Sequence, residues 1–233
     1  MSDVLSGLEP RERLLLLISA IFGLAYLVDD FGLAAPYPGN VIIKATGIAL
    51  LAVLALSRER PLLAVGLAAG ACGDALLDLQ PPQVTAGIAA FGVGHLIYVA
   101  LFAGELRREG SRGLPGWIGA GVLAGFGVAM LIYLQPHFGD LRGPASVYNG
   151  IIIVMACLAT AGRSPTLAMV GALLFVASDS VLAMRMFAGQ LPWAGPLVWL
   201  TYFLGQAGIA LGLSSKRDMT VTISGRTTTR NDS

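Results

Sequence analysis

The stretch PLLAVGLAAGACGDALLDLQ, residues 61–80, decides the fold. Across its twenty residues only Asp74 and Asp78 are charged. Wound as a helix at about 1.5 Å per residue, it is about 30 Å long, the thickness of a bilayer's hydrocarbon core. The rest of the chain has the same character. Of its 233 residues 55% are hydrophobic and 12% charged, with a mean hydropathy of +0.74, against about 25% charged in an ordinary globular domain. A soluble protein of ordinary type is therefore excluded. Fifteen Lys and Arg against fourteen Asp and Glu leave a formal charge of +1 and no basic patch to neutralise phosphates, so no nucleic-acid partner is expected. Cys72 and Cys157 both sit in apolar runs, and no Cys/His spacing suits zinc. Neither a disulfide framework nor a metal site is predicted.

Cutting the chain wherever charges, prolines or polar clusters interrupt the apolar runs predicts an all-α polytopic membrane protein with eight transmembrane helices. The spans run from Leu14 to Val28, Pro38 to Ser57, Pro61 to Gln80, Val84 to Gly104, Leu114 to Leu134, Ala145 to Ala161, Pro165 to Ala188 and Trp193 to Leu213. Residues 1–213 form a single domain in this reading, and 214–233 a disordered polar cytoplasmic tail. The first span is the weakest, and with Arg11 and Arg13 before it a cleaved signal peptide is the rival reading. Its apolar run continues to Asp29 without an A-x-A site, which favours a retained helix.

Loop charges test the count. With eight spans, twelve Lys and Arg fall on one side and Arg142 alone on the other, while Lys44 and Arg185 lie within spans. The positive-inside rule then places both termini in the cytoplasm of an integral, multi-pass protein, in the plasma or inner membrane if the source is bacterial. Thirty glycines fall largely inside spans, and Gly66/Gly70, Gly121/Gly125 and Gly208/Gly212 stand in G-x-x-x-G register. Close packing within the bundle is the plain use of such pairs, and a homodimer seam the other. Setting Gly66 on Gly171 also aligns Asp74 with Asp179, and setting Gly94 on Gly205 aligns His95 with Gln206. That suggests a parallel 4+4 repeat.

Charged groups at the bilayer centre cost about 2.5–3.5 kcal/mol each on insertion scales, so intramembrane ionisable residues are candidates for function. Asp74, Asp179, Lys44 and His95 qualify. Asp78 and Arg185, near helix ends, are expected to reach the interface. Asp74 lies about 9 Å below the outer end of its span and Lys44 at similar depth. Tyr148 and Asn149 open the sixth span at that level, and Tyr98 follows His95 on one helical face. A structural ion pair between Lys44 and one aspartate is the bland alternative, but a buried pair adds little net stability.

Several of these residues sit in motifs. Gly73-Asp74-Ala75-x-Leu77, Gly87-x-Ala89-Ala90-Phe91-x-x-x-His95-Leu96-x-Tyr98, Tyr148 with Met155, Gly171-Ala172-Leu173-Leu174-Phe175-x-x-Ser178-Asp179 and Tyr202-x-x-x-Gln206 together resemble the YhhN family. The resemblance runs from about Lys44 to Gln206. Two positions depart from it: Ala45 stands after Lys44 where the family often has proline, and Arg185 has no counterpart. Animal members are lysoplasmalogenases, integral membrane hydrolases of the vinyl ether bond. The resemblance thus implies a lysophospholipid substrate, water as co-substrate, surrounding membrane lipid, and no cofactor.

Such a reaction begins by protonating the vinyl β-carbon, giving an oxocarbenium ion like that of glycoside cleavage. One carboxyl must donate and another stay negative, which two aspartates in a low-dielectric site do by sharing one proton. Asp74 and Asp179 are the expected catalytic pair. Lys44 is expected to hold the substrate phosphate or else the ionised aspartate. His95, Tyr98, Tyr148, Asn149, Ser178, Tyr202 and Gln206 are expected to bind substrate and water. A multi-histidine zinc site cannot be assembled from His95 and His137 alone. The alternative reading, from the intramembrane charges and the repeat, is a transporter or lipid-handling membrane protein. A structural membrane protein without a ligand leaves those charges without a purpose.

Overall fold

A computed structural model describes residues 7–30 and 35–214. Eight long helices account for most of them: α1 (Pro10–Asp30), α2 (Gly39–Ser57), α3 (Pro61–Asp78), α4 (Val84–Glu109), α5 (Leu114–Leu134), α6 (Arg142–Ala161), α7 (Thr166–Ala188) and α8 (Gly195–Ser214). No strand occurs among the described residues; a single isolated bridge joins Ser111 to Gly162. Seven helices, α2 to α8, are long and apolar enough to cross a membrane. The chain is an all-α polytopic membrane protein. Helix α1 differs because Arg11, Glu12 and Arg13 crowd its first turn and Asp29 and Asp30 end it.

Helix ends follow local chemistry more closely than hydropathy. Pro61 begins α3 in the first turn, where its missing N–H costs nothing. Helix α1 starts at Pro10 for the same reason, ahead of the predicted Leu14. Helix α4 runs past Gly104 to Glu109, because nothing before Gly110, with φ of 76°, stops it. Between α7 and α8 the chain turns at Gly189, left-handed at φ 64°, and passes a short 3₁₀ turn over Pro192–Ala194, so α8 begins at Gly195, after the predicted Trp193. The polar tail predicted for 214–233 lies outside the described residues beyond Ser214.

Most consecutive helices pack as hairpins, with α3 on α4 and α7 on α8 among the most intimate; α4 packs on α6 instead of on α5, and α8 also packs on α2. Glycine makes the closest approaches. A methyl group on Gly94 would stand 2.9 Å from the Gly66 carbonyl oxygen, and one on Gly205 would stand 3.0 Å from that of Gly171. Of the three G-x-x-x-G pairs, Gly66/Gly70 accommodates Tyr98 and Gln206, and Gly208/Gly212 accommodates α7. Gly121 and Gly125 on α5 meet nothing within 4 Å.

The two ends of the bundle are built differently. At the end where α1 starts and α8 finishes, Arg58 closing α2 donates to Glu12 at 2.8 Å and to the Ser214 carbonyl at 2.9 Å, with both charged side chains 6% exposed. The start of α1 and the end of α8 therefore share one end of the bundle, the terminal end. The core of that half is largely apolar, with Ile48, Leu51, Leu54, Leu63, Leu67 and Phe102 fully or almost fully buried. The polar residues collect toward the opposite end, where residues 79–83, 135–141 and 189–194 connect the helices.

Candidate active site

A cavity of about 690 Å³ occupies this loop end, within the usual range of small-molecule sites, about 300–1,000 Å³. Its wall is mainly apolar, with Met130, Leu134, Phe138 and Ile153 among its members. Five charged residues face it: Lys44, Asp74, Asp78, Asp179 and Arg185. Asp74 and Asp179, far apart in sequence, thus come to one space because α3 and α7 both present these positions to the centre of the bundle.

Each aspartate receives a tyrosine hydroxyl. Tyr202 on α8 donates to Asp74 Oδ2 at 2.7 Å, and Tyr148 on α6 donates to Asp179 Oδ2. Behind Tyr202 the bonds continue. Gln206 Nε2 donates to the Tyr202 hydroxyl at 3.3 Å, and Tyr98 donates to Gln206 Oε1 at 2.7 Å. Every donor in this chain points toward Asp74. Mutual polarisation strengthens such a series and favours negative charge at its end.

An aromatic floor links the two aspartate–tyrosine pairs. The His95 ring lies 5.5 Å from Tyr148 and 4.3 Å from Phe175, and Phe175 lies 5.2 Å from Tyr202, all near edge-to-face. His95 is 1% exposed, and its Nδ1 bonds to the Phe91 carbonyl at 2.7 Å. A carbonyl only accepts, so Nδ1 carries the hydrogen and Nε2 is an acceptor, buried and without a hydrogen-bond partner.

Lys44, Asp74, Tyr148, Asn149, Ser178, Asp179 and Tyr202 of the expected site line the cavity. His95, Tyr98 and Gln206 do not; His95 belongs to the aromatic layer, and Tyr98 and Gln206 lie behind Tyr202. Asn149 donates to the Gly127 carbonyl at 3.2 Å and Ser178 to the Val198 carbonyl at 2.8 Å, so both side chains also tie helices together.

Lys44, expected at the substrate phosphate or else at the ionised aspartate of the catalytic pair, does not meet the second of these expectations. It pairs with neither catalytic candidate but with Asp78, Nζ to Oδ1 at 2.8 Å. Tyr26 of α1 donates to the other oxygen of Asp78 at 2.8 Å. Asp78 is thus no simple interfacial residue. The flexible lysine stem carries the ammonium outward from its Cα, a turn beyond Asp74, and the rings of Tyr26 and Trp199 receive it at 4.9 and 5.9 Å. The spacing of Asp74 and Asp78, four residues apart on one helical face, is the sequence signal that identifies Asp78. Tyr26 and Trp199 carry no comparable signal.

Residues 39–213 match the model of the YhhN family. The chain belongs to the YhhN family. Among this member's relatives is the human lysoplasmalogenase TMEM86B, 35% identical over 152 residues, which cover 64% of this chain and 62% of the human protein. The chain therefore spans less than two thirds of that relative's length. The lysoplasmalogenases of Mycobacterium bovis and Mycobacterium tuberculosis are each 32% identical over 187 residues, covering 76% of this chain and 70% of theirs. No solved structure matches. The family match starts at Gly39, after α1, yet α1 supplies Tyr26 to the site.

Proposed function

We propose that this family member is a lysoplasmalogenase-type hydrolase, cleaving the vinyl ether of a single-chain alkenyl glycerophospholipid, with ethanolamine or choline headgroup, to a fatty aldehyde and a glycerophospho-alcohol. The observation that carries the reading is the convergence of Asp74 and Asp179, each held by a tyrosine, on one largely apolar cavity in a chain whose relatives are named lysoplasmalogenases.

In this mechanism the two aspartates divide the work. Asp74 ends the series of donors from Tyr98 through Gln206 and Tyr202, which favours its ionised form. Asp179, with Tyr148 as its described side-chain donor and no ion pair among the described residues, holds the proton. It gives that proton to the vinyl β-carbon, and the oxocarbenium ion forms beside the Asp74 carboxylate. Water adds to the cationic carbon and passes a proton to a carboxylate. As the hemiacetal collapses, one carboxyl protonates the departing glyceryl oxygen while the other takes the hemiacetal proton, so aldehyde and alcohol leave and one proton remains shared by the pair. Such electrostatic and acid–base help is typically worth a factor of about 10² to 10⁴ for the proton transfer alone.

The same reading takes residues 1–213 as one domain with all eight helices across the membrane and both termini cytoplasmic. Support comes from Arg58, which gathers the start of α1 and the end of α8 at one end. A parallel 4+4 repeat is supported by the matching contacts of Gly94 on Gly66 and Gly205 on Gly171. For a homodimer, α5 offers Gly121 and Gly125, the G-x-x-x-G pair with no contact of its own.

Incubating the purified protein with lysoplasmalogen and with its saturated ether analogue tests the function. Aldehyde should appear from the vinyl ether alone; its absence in lipid environments that keep the protein folded would favour transport or lipid handling instead.

A further inference from the structure

Two cations face the cavity, and one of them is already committed. Lys44 is held by Asp78 and by two aromatic rings. A phosphate arriving there would have to displace a carboxylate bonded at 2.8 Å. Arg185 is in a different position. It stands on α7 six residues beyond Asp179, about 9 Å further toward the loop end by helical rise. Among the described residues it forms no ion pair. Its Nη2 makes a long bond of 3.4 Å to the Pro192 carbonyl, and its Nε is buried with no hydrogen-bond partner. A guanidinium N–H shut away from water without an acceptor is unfavourable, and the planar fork of N–H groups matches phosphate oxygens in pairs.

We propose that Arg185 is the anion anchor of the cavity, taking the phosphodiester of a single-chain lipid at the loop end, while Lys44 serves the carboxylate network. This rests on the reading of the cavity as a lipid site. The arrangement sets the order of the ligand's parts. With the phosphate at Arg185, the glycerol lies along α7 and the first atoms of the chain reach Asp179 and Asp74, with the tail continuing past Ile152 and Ile153. A free phosphate would satisfy the same fork but leave that apolar wall uncovered.

Binding of ligands that cannot be cleaved tests the anchor without relying on hydrolysis. The full chain in detergent is titrated with a saturated single-chain ether glycerophosphocholine and with the corresponding alkylglycerol, which lacks phosphate. Inorganic phosphate is the third arm. Arg185→Met should weaken the phospholipid about tenfold, as loss of a charge-assisted hydrogen-bond pair does, and leave the alkylglycerol within about twofold, which also reports that the variant is folded. Arg185→Lys should recover part of the loss. Equal phospholipid affinity in wild type and Arg185→Met, or a parallel loss for both lipids, overturns the anchor. Inorganic phosphate binding as tightly as the phospholipid overturns the lipid assignment. If the selective loss occurs but vinyl ether lipid yields no aldehyde, the anchor stands and the hydrolase reading fails; aldehyde release with no selective loss gives the reverse.

Discussion

The terminal end and the loop end of this bundle both bury charge, and they do so to opposite effect. At the terminal end, Arg58 and Glu12 face each other with 6% of each side chain exposed, and Arg58 spends another N–H on the Ser214 carbonyl. The protein itself satisfies that pair, Glu12 also accepting from the Glu9 N–H at 2.8 Å. At the loop end, Asp74 and Asp179 are each met by a tyrosine on one side and open into a cavity on the other. Burial of charge alone therefore does not mark a site. What distinguishes the Arg58–Glu12 pair from the two aspartates is that the aspartates also line a cavity.

The largest test of that contrast is at the carboxylates. Asp74→Asn and Asp179→Asn should each lower aldehyde release by about 10² or more while changing the melting temperature little, since an amide keeps the shape and can still accept the tyrosine hydroxyl. Turnover above a tenth of wild type in either variant would remove that residue from the acid–base pair. At the terminal end the expected outcome is inverted. Arg58→Met leaves Glu12 buried without its cation and should cost about 3–5 kcal/mol of stability. The kcat of the protein that remains folded should match wild type. The double variant Arg58→Met, Glu12→Gln should recover much of the loss in a melting experiment, which a purely packing role for Arg58 does not predict.

Lys44→Met sharpens the division within the loop end. It should lower kcat about tenfold with little change in KM, because the carboxylates lose a neighbouring cation and Asp78 its partner. A raised KM with unchanged kcat would return the phosphate to Lys44. The smallest effects concern glycine. Gly205→Ala, which brings a methyl within 3.0 Å of the Gly171 carbonyl, should cost about 1–3 kcal/mol in thermal stability. Gly125→Ala, with nothing within 4 Å, should fall within about 0.5 kcal/mol of wild type. A larger loss there, accompanied by a change in mass on sizing, would locate a dimer seam on α5.

Much of the helix plan was legible in the sequence because a bilayer sets one length for every span, and the chain interrupts its apolar runs with Arg, Pro and Gly at that interval. Asp74 and Asp179 were legible for a related reason: an acid amid leucine and alanine has few structural uses. Asp78 was misplaced because proximity to a helix end was weighed above its position one turn from Asp74. Tyr26 could not be assigned, since its meeting with Asp78 joins residues 52 apart through a helix-packing geometry that no local pattern encodes. The division between cavity wall and floor was equally hidden. Tyr98 and Gln206 bond across 108 residues, meeting over Gly66 and Gly70 of α3, and only that tertiary arrangement shows that they lie behind Tyr202 instead of facing the cavity.

The series from Tyr98 to Asp74 also bears on electrical insulation. A run of hydroxyl groups and waters through a membrane protein can hand protons along, but Gln206 interrupts this one, because an amide nitrogen does not shed its hydrogen near neutral pH. Toward the terminal end lie Leu51, Leu54, Leu67 and Phe102, each with no exposed surface. If the two aspartates work as the proposed acid–base pair, the protons they consume and return are exchanged with the medium at the loop end. On that proposal the site does not discharge an energised membrane, and vesicles carrying the protein should hold a pH gradient as long as empty ones do.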